Sequence, residues 1–340
     1  MNNLLPTDYQ SFIHKSRYAR WLDEDGRRED WSETVDRYFD YMSRWIEEKH
    51  NVPVTKPEID ELKEAVLNLE IMPSMRALMT AGKALERNHL AAFNCSYLPL
   101  DNPRAFDELL YILMCGTGVG FSVERNNVDK LPIVAETFEP SAVVIKVEDS
   151  KEGWAKAFRE LITMLYGGHV PSWDLSALRG AGERLKTFGG RSSGPLPLNE
   201  LFEFTAKIFQ KAAGRRLYPI ECHDIACKTG EVVVVGGVRR SALISLSNLN
   251  DDQMRHAKSG AWWENEGQRA LANNSATYKY KPDMETFMRE WLSLVESKSG
   301  ERGIFNRQAA KNKAVENRRR DLDHDFGTNP CSEIILRPYQ

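Results

Sequence analysis

The sequence has few cysteines, and they are widely scattered. Five cysteines stand in 340 residues, at positions 95, 115, 222, 227 and 331. A secreted disulfide scaffold needs a much denser set of paired cysteines, so that class of protein is excluded. Any disulfide formed by this chain would be transient and functional.

Long apolar runs and an excess of charge of one sign are also missing. The N-terminal stretch MNNLLPTDYQSFIHKSRYAR carries charges with no apolar run behind them, which excludes a signal peptide or a membrane span there. A net charge of −3 provides no general basic field that would hold nucleic acid. We therefore predict a cytoplasmic protein that binds neither a membrane nor nucleic acid.

Neither an internal repeat nor a low-complexity linker interrupts the chain. Apolar residues make up 41% and charged residues 28%, which is typical of a globular protein with a buried core. Residues 1–90 favour a helical domain, in which Asp30 and Glu33 have the spacing of a capping box. Apolar residues then recur at helical spacing in two segments: Val35, Tyr38, Met42 and Trp45, followed by Ile59, Leu62, Val66 and Leu69.

From residue 91 to residue 340 the pattern alternates between strand-like and helix-like segments. Strands are predicted for AAFNCSYLPL (91–100), FSVE (121–124), SAVVIKVE (141–148) and EVVVVGGV (231–238). Helices are predicted from Phe106 to Met114, for EGWAKAFRELITMLY (152–166), for LFEFTAKIFQKAA (201–213) and for ETFMREWLSLVES (285–297), where Phe287, Trp291, Leu294 and Val295 share one side. This alternation favours an α/β architecture, either layered or barrel-shaped.

The stretch GTNPCSEI near residue 330 places three chemically useful side chains on alternate positions. Pro330 disfavours helical backbone at Asn329. If the chain stays extended, Asn329, Cys331 and Glu333 share one face, with Cα atoms about 6.5 to 7 Å apart. A carboxylate can take a proton, an amide can hold a hydroxyl, and a thiol can give up a hydrogen atom. From spacing alone, a surface loop with an incidental cysteine remains the alternative.

Three other stretches have plain structural interpretations. GTGVGF (116–121) follows a predicted helix and precedes a strand, the reverse of the dinucleotide fingerprint, and therefore predicts a helix C-cap and tight turn. CHDIAC (222–227) has wider cysteine spacing than zinc sites use, and predicts a helix with partly buried thiols. The basic run ENRRRD (316–321) is flanked by acids and predicts a solvated face.

Two glycine-containing loops carry arginines. GGVRRSA (236–242) follows an apolar segment, and FGGRSSGPLPL (188–198) is rich in glycine and serine. Guanidinium groups beside a free backbone suit phosphate or carboxylate, so the pair suggests a nucleotide site. Solvated connecting loops are the alternative.

Taken together, these motifs resemble those of a ribonucleotide reductase catalytic subunit, from about Pro53 to Gln340. The matching stretches are, in chain order, FNCSY, CGTGVGFSVER, FGGRSSGPLPL, AGRRLYPIECHDIAC, GGVRRSALISLS, ANNSATY and GTNPCSEI. Each is weak alone, but their order is specific. The amino-acid sequences of these motifs are most similar to those of the adenosylcobalamin-dependent (class II) enzymes, including those that reduce ribonucleoside triphosphates.

The resemblance implies catalytic roles for four residues. Cys331 would become a thiyl radical and remove the 3′ hydrogen of the ribose, while Glu333 would take the proton of the 3′ hydroxyl. Asn329 would orient the substrate hydroxyls. Cys95 would be one of two thiols that close to a disulfide, which an external dithiol such as thioredoxin or a glutaredoxin-like protein reopens.

The resemblance also implies a site for a deoxynucleoside triphosphate effector. Asp107 falls where the family places an acidic residue near the effector ribose. The loop FGGRSSG supplies Arg191 and Ser192. The loop GGVRRSA, which would link the effector site to the substrate site, supplies Gly236, Gly237, Arg239 and Arg240. Cys115, Cys222 and Cys227 match no catalytic position and are interpreted as structural thiols.

The implied fold is an N-terminal helical domain (1–90) followed by the first half of a ten-stranded α/β barrel with a central finger loop (91–340). The second half-barrel, the second redox cysteine and the C-terminal reducing tail are expected to be missing, as are an ATP-cone domain and the long insertion of monomeric triphosphate reductases. An open half-barrel has unpaired strand edges. We therefore expect a complementary C-terminal half as partner, with a homodimer as a further possibility.

Adenosylcobalamin is the implied cofactor. The alternative is a class I large-subunit fragment that holds no cofactor and takes its radical from a metal-containing partner subunit. A third reading is a nucleotide-binding regulatory module without catalysis. The substrates implied are ribonucleoside triphosphates, with diphosphates left open.

Overall fold

The computed structural model describes residues 5–183, 191–234, 241–316, 321 and 323–340. The chain divides into two compact units, the first ending at Asn94 and the second beginning at Cys95. Each is described by itself below.

The first unit is helical. Its helices are α1 (Asp8–Ile13), α2 (Trp31–His50), α3 (Lys56–Leu67), α4 (Met75–Thr80) and α5 (Lys83–Arg87), with a π-helical turn at His14–Tyr18, a 3₁₀ turn at His89–Ala92 and a short hairpin of β1 (Trp21–Leu22) and β2 (Arg27–Arg28). The predicted capping box is confirmed, because the Asp30 side chain accepts from the N3 backbone while the Glu33 carboxylate accepts from the Asp30 N–H at 2.7 Å. Thr55 and Glu58 cap α3 in the same way.

The second unit is built on a five-stranded parallel sheet. Its strands are β3 (Cys95–Pro99), β4 (Gly118–Ser122), β7 (Leu243–Asn248), β8 (Ala272–Tyr278) and β9 (Gly303–Asn306), which pair in that order. Two short pairs accompany the sheet: parallel β5 (Glu139–Lys146) with β6 (His169–Asp174), and antiparallel β10 (Gly327–Thr328) with β11 (Ile335–Leu336).

Helices connect these strands and cover the sheet. They are α6 (Arg104–Met114), α7 (Arg125–Val128), α8 (Lys151–Tyr166), α9 (Leu196–Lys211), α10 (Pro219–Val234), α11 (Asp252–Arg255), α12 (Trp262–Asn265), α13 (Met284–Ser297) and α14 (Arg307–Glu316), with a 3₁₀ turn at Gly267–Leu271. The main core lies between the sheet and helices α6, α8, α9 and α10. A parallel sheet whose neighbours follow chain order confirms the α/β fold class. Closure into a ten-stranded barrel remains a prediction.

Several elements confirm the sequence predictions and two correct them. Helices α6, α8, α9 and α13 lie where helical periodicity places them. The predicted strand EVVVVGGV is wrong, because α10 continues to Val234 and packs Val232 and Val233 into the core; residues 235–238 lie outside the described residues. The strand predicted from Phe121 begins earlier, at Gly118.

None of the helices in the described ranges combines the length and the apolar content that a membrane crossing requires.

Candidate active site

Two predicted catalytic segments meet at the start of the sheet. Cys95 is the first residue of β3, and its partner across the strand pair is Gly118 of β4. The Cys95 thiol is partly exposed. The Asn329 side-chain amide donates a hydrogen bond to the Cys95 sulfur, with Nδ2 and Sγ 3.2 Å apart. The fold thus joins residues that are 234 positions apart in the sequence.

The hairpin of β10 and β11 forms a finger whose loop spans residues 329–334. Asn329 closes this loop, because its Oδ1 accepts the Ile334 N–H at 3.0 Å and its own N–H donates to the Ile334 carbonyl at 3.3 Å. The Thr328 hydroxyl donates to the same carbonyl at 3.0 Å. Ser332 has a positive φ of 64° and donates its N–H to the Asn329 carbonyl at 3.0 Å, which turns the tip back on itself.

The extended run expected from Asn329 to Glu333 is therefore wrong in its backbone geometry. The chain reverses at Ser332 instead of continuing as a strand. Asn329 is completely buried, whereas Cys331 and Glu333 are exposed. A thiol and a carboxylate thus stand at an accessible tip, above a buried amide that contacts a second thiol.

Three glycines allow the finger to lie directly on the sheet. A Cβ atom on Gly120 would stand 1.7 Å from the Thr328 carbonyl oxygen, and one on Gly118 would stand 2.9 Å from Cγ of Pro330. A Cβ atom on Gly327 would overlap the Tyr97 ring, at 2.1 Å from Cε2. A Cβ atom at any of the three positions would overlap the Thr328 backbone, the Pro330 ring or the Tyr97 ring, so the glycines determine how closely the finger approaches β3 and β4.

This arrangement revises the interpretation of GTGVGF. Gly116, with a φ of 80°, follows helix α6, as the predicted C-cap and turn require. Gly118 and Gly120 instead lie inside β4. A glycine in a strand interior often marks a place where another backbone comes close. The alternation of glycines was the available signal for this contact, and sequence reasoning missed it.

The structure describes three of the predicted effector residues. Asp107 is 1% exposed on α6 and accepts from Nε and Nη2 of Arg159, at 3.1 and 2.7 Å from its Oδ2. This hydrogen bond raises the pKa of Arg159. Oδ1 of Asp107 is buried without a hydrogen-bond partner among the described residues. Asp107 thus faces a cation of its own chain rather than open solvent.

Arg191 and Ser192 belong to a turn. Arg191 is exposed and its Nη1 donates to the Gly182 carbonyl at 2.7 Å. Ser192 is buried and its hydroxyl accepts the Gly194 N–H at 3.0 Å. Within the part of the chain that the structure describes, no hydrogen bond joins either residue to Asp107. The other predicted effector residues, Gly236, Gly237, Arg239 and Arg240, lie outside the described residues.

The remaining cysteines lie in the core. CHDIAC is helical, as predicted, but its thiols are completely rather than partly buried: Cys222 and Cys227 are both 0% exposed. Burial raises the pKa of both thiols well above its ordinary value. The Cys227 sulfur lies 3.5 Å from Nε2 of His223, whose pKa burial lowers to about 3. A neutral imidazole beside a protonated thiol is a packing arrangement, not an activated nucleophile.

Two family models match the chain. The model of the ribonucleotide reductase alpha domain matches residues 2–83. The model of the insertion domain of B12-dependent ribonucleotide reductase matches residues 120–209. This second match contradicts the expectation that the insertion is missing, which rested only on the short stretch after FSVER.

Curated relatives and a solved structure agree with these matches. The chain is 27% identical over 398 residues to an adenosylcobalamin-dependent ribonucleoside-triphosphate reductase of Levilactobacillus brevis, and 28% identical over 400 residues to that of Lactobacillus leichmannii. Each alignment covers 95% of this chain and 52% of the relative. A crystal structure of a B12-dependent (class II) ribonucleotide reductase superposes with a TM-score of 0.79 at 24% identity, over 96% of this chain and 53% of that one.

The structural likeness shows a shared fold, and the family models show which branch of the family the sequence resembles. In two separate segments the chain is similar to ribonucleotide reductases, in the second to their B12-dependent branch, and it spans about half the length of the curated relatives that it matches.

Proposed function

We propose that this chain supplies the radical cysteine, the general base and one redox thiol of a B12-dependent ribonucleotide reductase. The observation that carries the proposal is the contact between Asn329 and Cys95, in a finger loop whose Cys331 is exposed. The fold joins the two segments in which the family resemblance places the chemistry. The relatives' names favour ribonucleoside triphosphates as substrates.

In the proposed reaction the exposed tip meets the ribose. Cys331, as a thiyl radical, takes the hydrogen atom from C3′, and Glu333 takes the proton of the 3′ hydroxyl. The 2′ hydroxyl takes a proton from one of two thiols and leaves as water. C2′ then gains a hydrogen, and the two electrons of the reduction come from these two thiols as they close to a disulfide: Cys95 is one, and the complementary polypeptide provides the other. Cys331 returns the hydrogen atom to C3′ and Glu333 returns the proton to the 3′ oxygen. An external dithiol of the thioredoxin or glutaredoxin type then reopens that disulfide.

Asn329 can serve this reaction while it holds the loop together. A side-chain amide has two N–H donors and two acceptor lone pairs. The contacts with Cys95 and the Ile334 N–H use one of each at good geometry. One donor therefore remains for a substrate hydroxyl, provided that the substrate enters beside Cys95.

Adenosylcobalamin is the cofactor of the B12-dependent branch, and when bound it supplies the radical. This chain meets one requirement of that chemistry, which is access to the radical cysteine. Residues 331–334 are all exposed and leave the Cys331 thiol accessible to a large cofactor. We assign the residues that hold the corrin to the complementary polypeptide. The insertion-domain match favours this radical source over the metal-containing partner subunit of class I enzymes.

A complementary half is supported by an outward-facing apolar surface. On α13 the polar residues Glu290 and Ser293 are buried, at 3% and 4% exposure. Large apolar side chains face outwards on the same helix, at 51% exposure or more: Met284, Met288, Trp291, Leu292 and Val295. Of the predicted stripe, Trp291 and Val295 are thus exposed, whereas Phe287 and Leu294 are half-buried. A surface of this kind is typical of a protein contact.

The remaining parts of the proposal concern regulation and setting. We propose a deoxynucleoside triphosphate effector site that includes Asp107, Arg191 and Ser192 with the glycine- and arginine-containing loop at 236–240, and a division into functional domains at residue 90. Asp107 would contribute through Arg159, whose guanidinium is partly exposed and could face a phosphate. Five free thiols fit a reducing, cytoplasmic setting.

The test is reconstitution. The chain is co-expressed with a polypeptide that corresponds to the remaining half of its relatives, and reduction of ribonucleoside triphosphates and diphosphates is measured with and without adenosylcobalamin. We expect turnover that requires the cofactor and disappears in Cys331→Ser. Binding of a deoxynucleotide without any turnover, in a complex shown to be assembled, would replace the proposal with a regulatory module.

A further inference from the structure

Buried ion pairs between arginine and glutamate occur at two places in the second unit, at Glu124 and at Glu290, and the one at Glu124 holds the finger. The Arg307 and Glu124 side chains are 2% and 1% exposed, and those of Arg302 and Glu290 are 1% and 4% exposed. Neither pair belongs to the residues predicted from the sequence. A buried ion pair is a poor source of net stability, so its retention calls for a positional explanation.

Arg307 joins the base of the finger to the sheet. Its Nη1 and Nη2 donate to the two Glu124 carboxylate oxygens, at 2.9 and 2.6 Å, in a bidentate fork. Its Nε donates to the Phe326 carbonyl at 2.7 Å. Phe326 immediately precedes Gly327, the first residue of the finger hairpin. A single rigid guanidinium therefore fixes the finger's entry point relative to Glu124.

Glu124 is in turn fixed to β4. The Ser122 hydroxyl, at the end of that strand, donates to Oε2 of Glu124 at 3.0 Å, and Asn127 donates to the Ser122 hydroxyl at 2.9 Å. Lys279 lies 3.6 Å from Oε1 of Glu124 and adds a second cation. Burial lowers the pKa of Arg307, but the hydrogen bonds to the Glu124 carboxylate outweigh this effect and keep that pKa above its ordinary value. The Arg307 guanidinium therefore stays charged and oriented.

The fork therefore acts on the same strand that accepts the finger. Gly118 and Gly120 of β4 allow the loop to approach, and Glu124 lies two residues beyond that strand. Glycines set how close the finger comes, but they supply no directional bond. The fork and the bond to the Phe326 carbonyl supply directional hydrogen bonds at the base of the finger, at the end opposite to its tip.

We propose that Glu124 and Arg307 are positioning residues that hold the finger in register with β4, and so place Asn329 against Cys95 and Cys331 at the reacting tip. The catalytic meaning rests on the function proposed above, whereas the positional part does not. Lysine cannot reproduce the fork, because its ammonium is a point charge without a planar pair of donors.

The second pair is a matched control. Arg302 donates from Nε and Nη2 to the two Glu290 oxygens, at 2.7 and 2.6 Å. Its backbone acceptors are the carbonyls of Asn248 and Leu249, at 2.8 and 3.0 Å, which lie at the end of β7 and not in the finger. Arg302→Lys thus removes a buried bidentate fork in the same unit while it leaves the finger's own contacts in place. After the change Glu290 keeps a second cation, because it also accepts from Nε of Arg255 at 2.8 Å, just as Glu124 keeps Lys279 nearby.

The experiment compares wild type, Arg307→Lys and Arg302→Lys under conditions in which all three are folded. Hydrogen exchange is measured for the peptide covering residues 327–336, and alkylation is measured for Cys95. We expect Arg307→Lys to raise finger exchange about tenfold or more, and to raise Cys95 alkylation because the Asn329 contact is lost. Arg302→Lys is expected to leave both rates within about twofold of wild type.

The proposal is overturned if Arg307→Lys leaves finger exchange at the wild-type rate, or if Arg302→Lys raises it equally. Should Arg307→Lys fail to fold, Glu124→Gln replaces it, because it keeps the side-chain size and one acceptor oxygen while removing the fork. In the reconstituted enzyme we expect Arg307→Lys to lower kcat with little change in KM. A wild-type assembly without reductase activity would sink the proposed function but leave the exchange result standing.

Discussion

Cysteines on the two faces of the sheet differ in their exposure to solvent. On the face that α10 covers, Cys222 and Cys227 are completely buried, and the His223 ring lies 5.9 Å from that of Phe121 in β4. On the face that the finger covers, Cys95 is partly exposed and Cys331 is exposed. The difference comes from what covers each face. Helices of large apolar residues exclude water, whereas a hairpin seated on glycines leaves its tip open.

This comparison separates thiols that pack from thiols that can react. A thiol reacts as the thiolate or after loss of its hydrogen atom, and either requires access to a partner. Burial denies that access to three of the five cysteines and raises the pKa of Cys115, Cys222 and Cys227. Thiol chemistry is therefore confined to the face of the sheet that the finger covers. The predictions that follow test this difference between the two faces.

The largest expected effect lies at the finger tip. Glu333→Gln removes the proposed base while it keeps the side-chain size, so turnover in the reconstituted enzyme should fall by about 10²- to 10⁴-fold. Because Glu333 is exposed, the unfolding free energy should change by no more than about 0.5 kcal/mol. Turnover and urea unfolding of the same preparation check both parts. Undiminished turnover would remove Glu333 from the mechanism.

Thiol alkylation tests the contrast directly, without any reconstitution. Under native conditions we expect Cys331 to react first and Cys95 second. The three buried thiols should react more slowly than Cys331 by a factor on the order of 10³, because they react only after the structure opens. Mass spectrometry of peptides after timed exposure to iodoacetamide gives each rate. Equal rates at Cys227 and Cys331 would contradict the assignment of the two faces.

Replacing the glycines under the finger should lower the unfolding free energy in proportion to the steric overlap that each new side chain creates. Gly120→Ala puts a methyl group onto the Thr328 carbonyl, and we expect it to lower the unfolding free energy by about 3 kcal/mol. Gly118→Ala meets the Pro330 ring at 2.9 Å and should cost about 1 kcal/mol. Urea unfolding of the two variants checks this order. A smaller cost at Gly120 than at Gly118 would show that the finger can lift off the sheet.

Local sequence signals predicted much of the fold. Helical periodicity located α8, α9 and α13, and the spacing of Asp30 and Glu33 located the start of α2. The signal failed at EVVVVGGV, where a run of β-branched residues favours a strand by composition. An apolar run that short does not distinguish a strand from a buried helix, and α10 had already begun at Pro219.

The candidate site was predictable only in its parts. The spacing in GTNPCSEI indicated which residues carry the chemistry, but not that the loop turns at Ser332 and buries Asn329. Unlike the approach of the finger to the glycines of β4, ion pairs between distant parts of the chain have no local signal. The fork between Arg307 and Glu124 spans 183 positions, and no periodicity or spacing indicates such a pair.

The remaining prediction concerns the helical face and the pH dependence of stability. Burial lowers the pKa of His223 to about 3, whereas an unfolded histidine titrates near 6.5. Between those values the unfolded chain binds a proton that the folded chain does not, so stability falls as the pH falls. From pH 7 to pH 5 this histidine should remove about 2 kcal/mol of unfolding free energy.

His223→Gln separates this contribution from that of other groups, because glutamine keeps a polar side chain but does not titrate. We expect the variant to lose about 2 kcal/mol less than wild type between pH 7 and pH 5, measured by urea unfolding at both values. Buried carboxylates and His14, whose pKa burial also lowers, affect both proteins alike and cancel in the difference. An identical loss in both proteins would mean that His223 gains a proton within the folded state, and that the helical face admits water after all.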